Sequence, residues 1–196
     1  MLKTARRLQR MSSHDLAMIR FAALAVVAGL SLAGCYISDG LLLEPGAALQ
    51  PIPGGDYVSS DGSVRRLTML PDGWYAQRVR QPGGAWGPSG RFLANRLGRI
   101  AGRDVYVVAQ YGRDVPGYVY AVVAVQGNSF ALAAPDCSKP ADAVLAGTWN
   151  GRSRTLKDLD KVCDFANRQS LLGALRAFAA QAQFEPPYRR RDPISR

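Results

Sequence analysis

From residue 56 onward, apolar and polar positions alternate in short runs broken by turn residues. Val64–Leu70, Trp74–Arg80, Phe92–Leu97, Val105–Tyr111, Tyr118–Val125 and Ser129–Ala133 are rich in β-branched and aromatic residues, and each has the length of one strand. Asp61-Gly62, Asp72-Gly73, Gly127-Asn128 and Asn150-Gly151 accept positive φ and punctuate the pattern as tight turns. Val144–Trp149 and Arg152–Leu156 read as a further hairpin around Asn150-Gly151. The predicted fold is mainly β: an antiparallel meander of about seven or eight strands, forming a curved sheet or small barrel. Tyr118–Val125 is apolar on both faces, which predicts a central strand covered from both sides. Trp74–Arg80 places Arg78 and Arg80 on the Trp74 face and predicts an outer or edge strand.

The period changes near the C-terminus. Leu171, Leu172, Leu175, Phe178, Ala179 and Ala182 share one side of a helix that begins near Asn167 or Ser170 and runs to about Gln183. This C-terminal amphipathic helix should pack on the sheet, and Pro186-Pro187 should end it.

Before the β pattern comes a different kind of segment. Phe21–Ala33 is uncharged and mostly apolar, with Arg20 before it and small residues at its exit, the layout of a secretory signal. Leu32-Ala33-Gly34-Cys35 resembles the lipobox of bacterial lipoprotein precursors at all four positions. That resemblance covers only the N-terminal segment. It implies cleavage between Gly34 and Cys35, diacylglycerol on the Cys35 sulfur and a further acyl chain on its amino group. Stable anchoring needs more than one chain, because a single chain binds a bilayer only marginally. An uncleaved membrane anchor is the alternative, but it would leave Cys35 unexplained and sits at the short limit for a span. Twenty residues precede the apolar core, and starting at Met18 yields a more compact signal. Position 36 is tyrosine; without the aspartate that retains such lipoproteins in the inner membrane, the resemblance implies the inner leaflet of the outer membrane, facing the periplasm.

The expected layout is therefore a signal peptide over 1–34, a lipidated cysteine and flexible tether over 35–55, a β-rich periplasmic domain with its C-terminal helix over 56–185, and a basic tail over 186–196. Export changes the charge picture. The whole chain carries 25 basic and 15 acidic residues; without residues 1–34 it carries 20 and 14, a net +6. Half of that excess lies in the last eleven residues, and the rest reads as background, with no nucleic-acid partner expected.

The single histidine, His14, lies within the leader, so an exported chain has no imidazole for a triad or a His-ligated metal site. In QPGGAWGPSGR, Gly83, Gly84, Gly87 and Gly90 lack the Gly-Lys-Ser/Thr ending of a phosphate loop. Asp158, Asp160 and Asp164 alternate with Lys157 and Lys161, a salt-bridged surface pattern. Cys137 and Cys163 form an even pair in an oxidising compartment, where a structural disulfide is the simplest reading. No catalytic or metal-binding residue is expected, and no cofactor beyond the acyl chains on Cys35. Trp86 in the glycine-rich loop and Arg189, Arg190 and Arg191 in the tail remain as candidate contacts. Their partners would be a glycan, anionic head groups or an acidic protein. Besides the bilayer reached through Cys35, the expected partner is another envelope protein, making the chain a non-enzymatic accessory. A lipid- or glycan-binding module is the alternative, and a hydrolase the third.

Overall fold

A computed structural model of the chain describes residues 36–112, 115–156 and 159–191; Cys35 and the expected signal peptide over 1–34 lie outside them. Eleven strands form the sheet: β1 (Tyr36–Ser38), β2 (Gly55–Val58), β3 (Val64–Met69), β4 (Tyr75–Arg80), β5 (Gly90–Ile100), β6 (Arg103–Tyr111), β7 (Tyr118–Gln126), β8 (Ser129–Ala133), β9 (Arg152–Leu156), β10 (Leu159–Asp164) and β11 (Tyr188–Arg190). Two helices join them, α1 (Pro140–Thr148) and α2 (Arg168–Gln181). Eight strands close an antiparallel barrel in the cyclic order β6-β5-β4-β3-β2-β11-β8-β7, with β7 returning to β6.

The strands expected between residues 64 and 133 appear with bounds shifted by three residues or fewer, and alternation sorts their side chains between two cores. Tyr57, Leu67, Tyr75, Phe92, Val108, Val123, Phe130 and Tyr188 fill the barrel interior. Tyr75 stacks on Phe92 at 4.6 Å and Phe130 on Tyr188 at 5.2 Å between ring centroids. On the outer face of β5–β7, Leu93, Val107, Ala109 and Val122 pack beneath Leu171, Leu175 and Phe178 of α2. β7 contributes to both cores, which explains why it is apolar on both faces. The Asn167 side chain caps α2 by accepting from the Ser170 amide at 2.9 Å. The Cys137–Cys163 disulfide forms, with Cα atoms 5.9 Å apart across 26 residues of sequence.

Four expectations are corrected. The segment after residue 35 is not a free tether, because Tyr36 and Ile37 are fully buried and β1 pairs with both β7 and β10. Leu43 and Ile52 are buried as well, and the Asn95 side chain bonds the backbone of Glu44 and Ala47. Glycines and prolines break its apolar residues into runs with no sustained period, yet Tyr36, Ile37, Leu43 and Ile52 are all buried. Val144–Trp149 is not a strand: Val144 to Thr148 belong to α1, which opens with Pro140 at its first turn. Asn150, at φ +61°, turns the chain out of that helix, and β9 pairs with β10 rather than with residues 144–149. Trp149 is consequently not a strand core residue; it is 39% exposed and lies flat over Gly173.

The strand β4 has no free edge, since β3 and β5 flank it; its arginines point outward from a closed wall. The fourth correction concerns the tail. Tyr188–Arg190 is a strand that pairs with both β2 and β8 and completes the barrel. Proline-proline and arginine composition masked a segment whose pairing comes entirely from distant strands. Truncation after Glu185 should therefore abolish the single cooperative thermal transition, where loss of a dispensable tail would leave it intact. Tyr188→Ala should cost about 3 kcal/mol in denaturant unfolding, as for other buried aromatic truncations.

Candidate functional site

The outer surface of β2, β3, β4 and β11 gathers the charge. Cross-strand pairing places Asp56 beside Arg66 and Arg66 beside Arg78. A second row runs from Arg189 through Val58 and Val64 to Arg80. Because Tyr188 points into the barrel, Arg189 and Arg191 point out. Arg66, Arg78, Arg80, Arg189 and Arg191 thus share a wall on which Asp56 is the only carboxylate among the described residues.

Trp86 forms the centre of this wall. The β4–β5 loop turns back at Gly83, whose φ is +68°, and the Gly87 amide donates to the Val79 carbonyl at 2.8 Å. A Cβ on Gly87 would lie 3.0 Å from that carbonyl, so the close approach needs glycine. The fold-back lays the indole on the guanidinium carbons of Arg66 (4.5 Å), Arg80 (5.1 Å) and Arg78 (5.9 Å). Arg66 forks onto Asp56 with bonds of 2.7 and 2.8 Å. The Arg191 amide donates to the Asp56 carbonyl at 2.8 Å, and Arg190 reaches the Gly54 carbonyl at 3.0 Å. Two sequence candidates far apart in the chain, Trp86 and the arginines near the C-terminus, therefore meet on one surface.

The hydrogen bonds from Arg66 hold the Asp56 carboxyl below the usual aspartate range, helped by the charges of Arg66, Arg191 and Arg80 against a smaller opposing effect of burial. A depressed carboxylate contributes fully above the ordinary aspartate value of about 4 and loses its contribution as pH falls through its folded value. NMR titration should show Asp56 protonating below that value in the native chain. In Arg66→Met it should move most of the way back; an unchanged midpoint would show that the fork does not govern it.

A second feature lies at one mouth of the barrel. Asp72, Trp74, Ser89, Arg91, Tyr111 and Tyr118 line an open groove of about 520 Å³. Arg91 bonds Asp72 at 2.5 Å and lies over the Trp74 ring at 5.3 Å. Tyr111 is 63% exposed and meets Tyr118 edge-on. Sequence reading did not single out Tyr111, Tyr118 or Arg91, since they converge only when β5, β6 and β7 close beside the β3–β4 turn.

Inside the barrel a cavity of about 20 Å³ is bordered by Arg65, Gln77 and apolar side chains. That is room for a water molecule. Arg65 is 3% exposed, donates to Gln77 at 2.5 Å and covers the Tyr188 ring at 5.2 Å; Gln77 continues to Gln110 at 2.6 Å. Its Nε and Nη2 have no hydrogen-bond partner among the described residues. Burial raises the carboxyl of nearby Glu185, while Arg65 pulls it down. Among the described residues no group of three His, Cys, Asp or Glu side chains converges in metal-binding geometry, and no helix is long and apolar enough to cross a membrane.

No protein-family model, curated protein or solved structure matches this chain. Function is therefore argued from the geometry of its own surfaces and from the lipobox-like run Leu32–Cys35.

Proposed function

We propose that the chain is a lipid-anchored lipoprotein of the bacterial cell envelope whose barrel is a non-catalytic interaction domain for an acidic protein partner. The arginine wall around Trp86 is the observation that carries this reading. Among the described residues, five guanidinium groups against one carboxylate form a field that steers and orients an acidic surface, and a half-buried aromatic centre gives it an anchor point. The lipobox at Leu32–Cys35 supports attachment through Cys35 and a periplasmic location on the outer membrane. The interior, packed with aromatic side chains around a cavity of about 20 Å³, counts against carriage of a lipid among them.

Metabolic labelling should place acyl chains on the native protein and not on Cys35→Ser. Co-isolation from cross-linked envelopes should recover an acidic partner, and the triple variant R66E/R80E/R191E should cut that recovery roughly tenfold while leaving acylation unchanged. Undiminished recovery with the triple variant would overturn the assignment of the wall.

A second reading, glycan binding, is favoured by the mouth groove. Trp74, Tyr111 and Tyr118 offer ring faces, and the Arg91–Asp72 pair offers donors and acceptors beside them. Soluble peptidoglycan fragments should then change tryptophan fluorescence on titration. Trp74→Ala and Tyr111→Ala should each weaken binding by about tenfold if each ring contributes on the order of 1 kcal/mol or more. A flat titration for the unmodified chain removes this reading.

A further inference from the structure

The first described residue, Tyr36, is already locked in the body of the protein. It pairs with Tyr120 of β7 and Cys163 of β10, and its hydroxyl donates to the Asp142 carbonyl of α1 at 2.9 Å. Residue 35 is one Cα–Cα step away, about 3.8 Å. No spacer separates the modified cysteine from the folded domain, so the attachment point dictates which surface meets the bilayer.

That surface can be located by pairing. β1 and β8 share one edge of β7: Tyr36 opposes Tyr120, and Ala133 opposes Val122, leaving only Ala121 between them. Into this gap the chain leaves β8 at Ala133 and climbs through Cys137, which is bonded to Cys163, into α1. The helix beside the attachment point is unusual in its outer face. Pro140, Ala141, Val144, Gly147, Thr148 and the following Trp149 are exposed, and none is charged. Val144 is 68% exposed. The one charged residue of the helix, Asp142, is turned inward and accepts from the Asp136 amide at 2.7 Å. Lys139 precedes the helix and Arg152 follows it, both exposed, as suits a surface beside anionic head groups.

The cyclic strand order then orients everything else. In the eight-stranded ring, β3 lies four strands from β7 in either direction, on the opposite side of the barrel. Arg66 belongs to β3, where Asp56 and Arg78 flank it and Trp86 covers it. We infer that the acylated Cys35 seats the uncharged outer face of α1 on the bilayer and turns the arginine wall away from the membrane. Basic residues that could have served as a head-group patch are instead presented to a partner standing off the bilayer. This inference rests on the lipidation reading and goes beyond it by assigning the docked face and the direction of the wall.

The test separates the two. Cys35 is the only cysteine outside the disulfide, so the chain beginning at residue 35 can be coupled chemically to a maleimide-headed lipid, whatever happens to the native precursor. Vesicles of phosphatidylcholine and phosphatidylglycerol carrying brominated acyl chains then report depth. Two variants isolate single fluorophores: W74F/W86F retains Trp149, and W74F/W149F retains Trp86. Trp149 emission should fall by about half or more against non-brominated vesicles, consistent with seating about 5–10 Å into the head-group boundary. Trp86 should stay unquenched by bromine and remain open to acrylamide. Adding Val144→Asp, at a site exposed enough to leave the melting temperature unchanged, should relieve the Trp149 quenching. Unquenched Trp149, or bromine quenching of Trp86 to the same degree, overturns the orientation. Absence of acyl mass on the native protein would instead remove the lipidation reading and leave the coupling result standing.

Discussion

Closure of the barrel by three residues at 188–190 is the constraint on which the rest of the structure depends. β2 and β8 have no direct pairing with each other, and β11 supplies the backbone hydrogen-bonding partners for both. Tyr188 fills the interior at the seam, stacked on Phe130 and covered by Arg65. Without it the two edges would be open and the interior aromatics would meet water, a state that sheets avoid because free edges pair with other chains. The same strand sets Arg189 and Arg191 on the outer wall, so closure and the candidate interface are one event.

β7 is the second organising element. One of its edges runs along β6, while the other is divided between β1 and β8. This branching lets one strand bury side chains inside the barrel and beneath α2, and it carries the β1–β10–β9 extension outside the ring. Tyr120 ties the junction together through its hydroxyl, which meets Ser38 at 2.7 Å and accepts from the Leu42 amide at 2.9 Å. The Cys137–Cys163 bond fastens the start of α1 to the same extension. In the chain-entropy account such a loop closure is worth about 3 kcal/mol. The segment from Tyr36 to Ile52, whose glycines, prolines and lack of a sustained period resemble a spacer, is thereby part of the fold.

The filled interior bears on the choice among functions. Stacked rings and the Arg65–Gln77–Gln110 chain occupy the space in which larger barrels hold a ligand. What the molecule offers to others lies on its outside: the cationic wall, the mouth groove and the uncharged face of α1. These three surfaces differ in chemistry, and under the proposed lipid attachment the α1 face and the cationic wall point in opposite directions.

Seven strands, the C-terminal helix and the disulfide pair were legible in the sequence, because each depends on local signals: alternation, turn residues, helical spacing and cysteine parity. Arg78 and Arg80 were also legible as outward-facing, from their period with Trp74. Tertiary structure alone decided that Tyr188–Arg190 is a strand, that Tyr36 begins one, and that Trp86 and Arg191 share a wall. β1 and β11 are each three residues long, and their stability comes from partners more than forty residues away in the chain. A run that short has no period of its own, so only the edges waiting for it could determine its conformation.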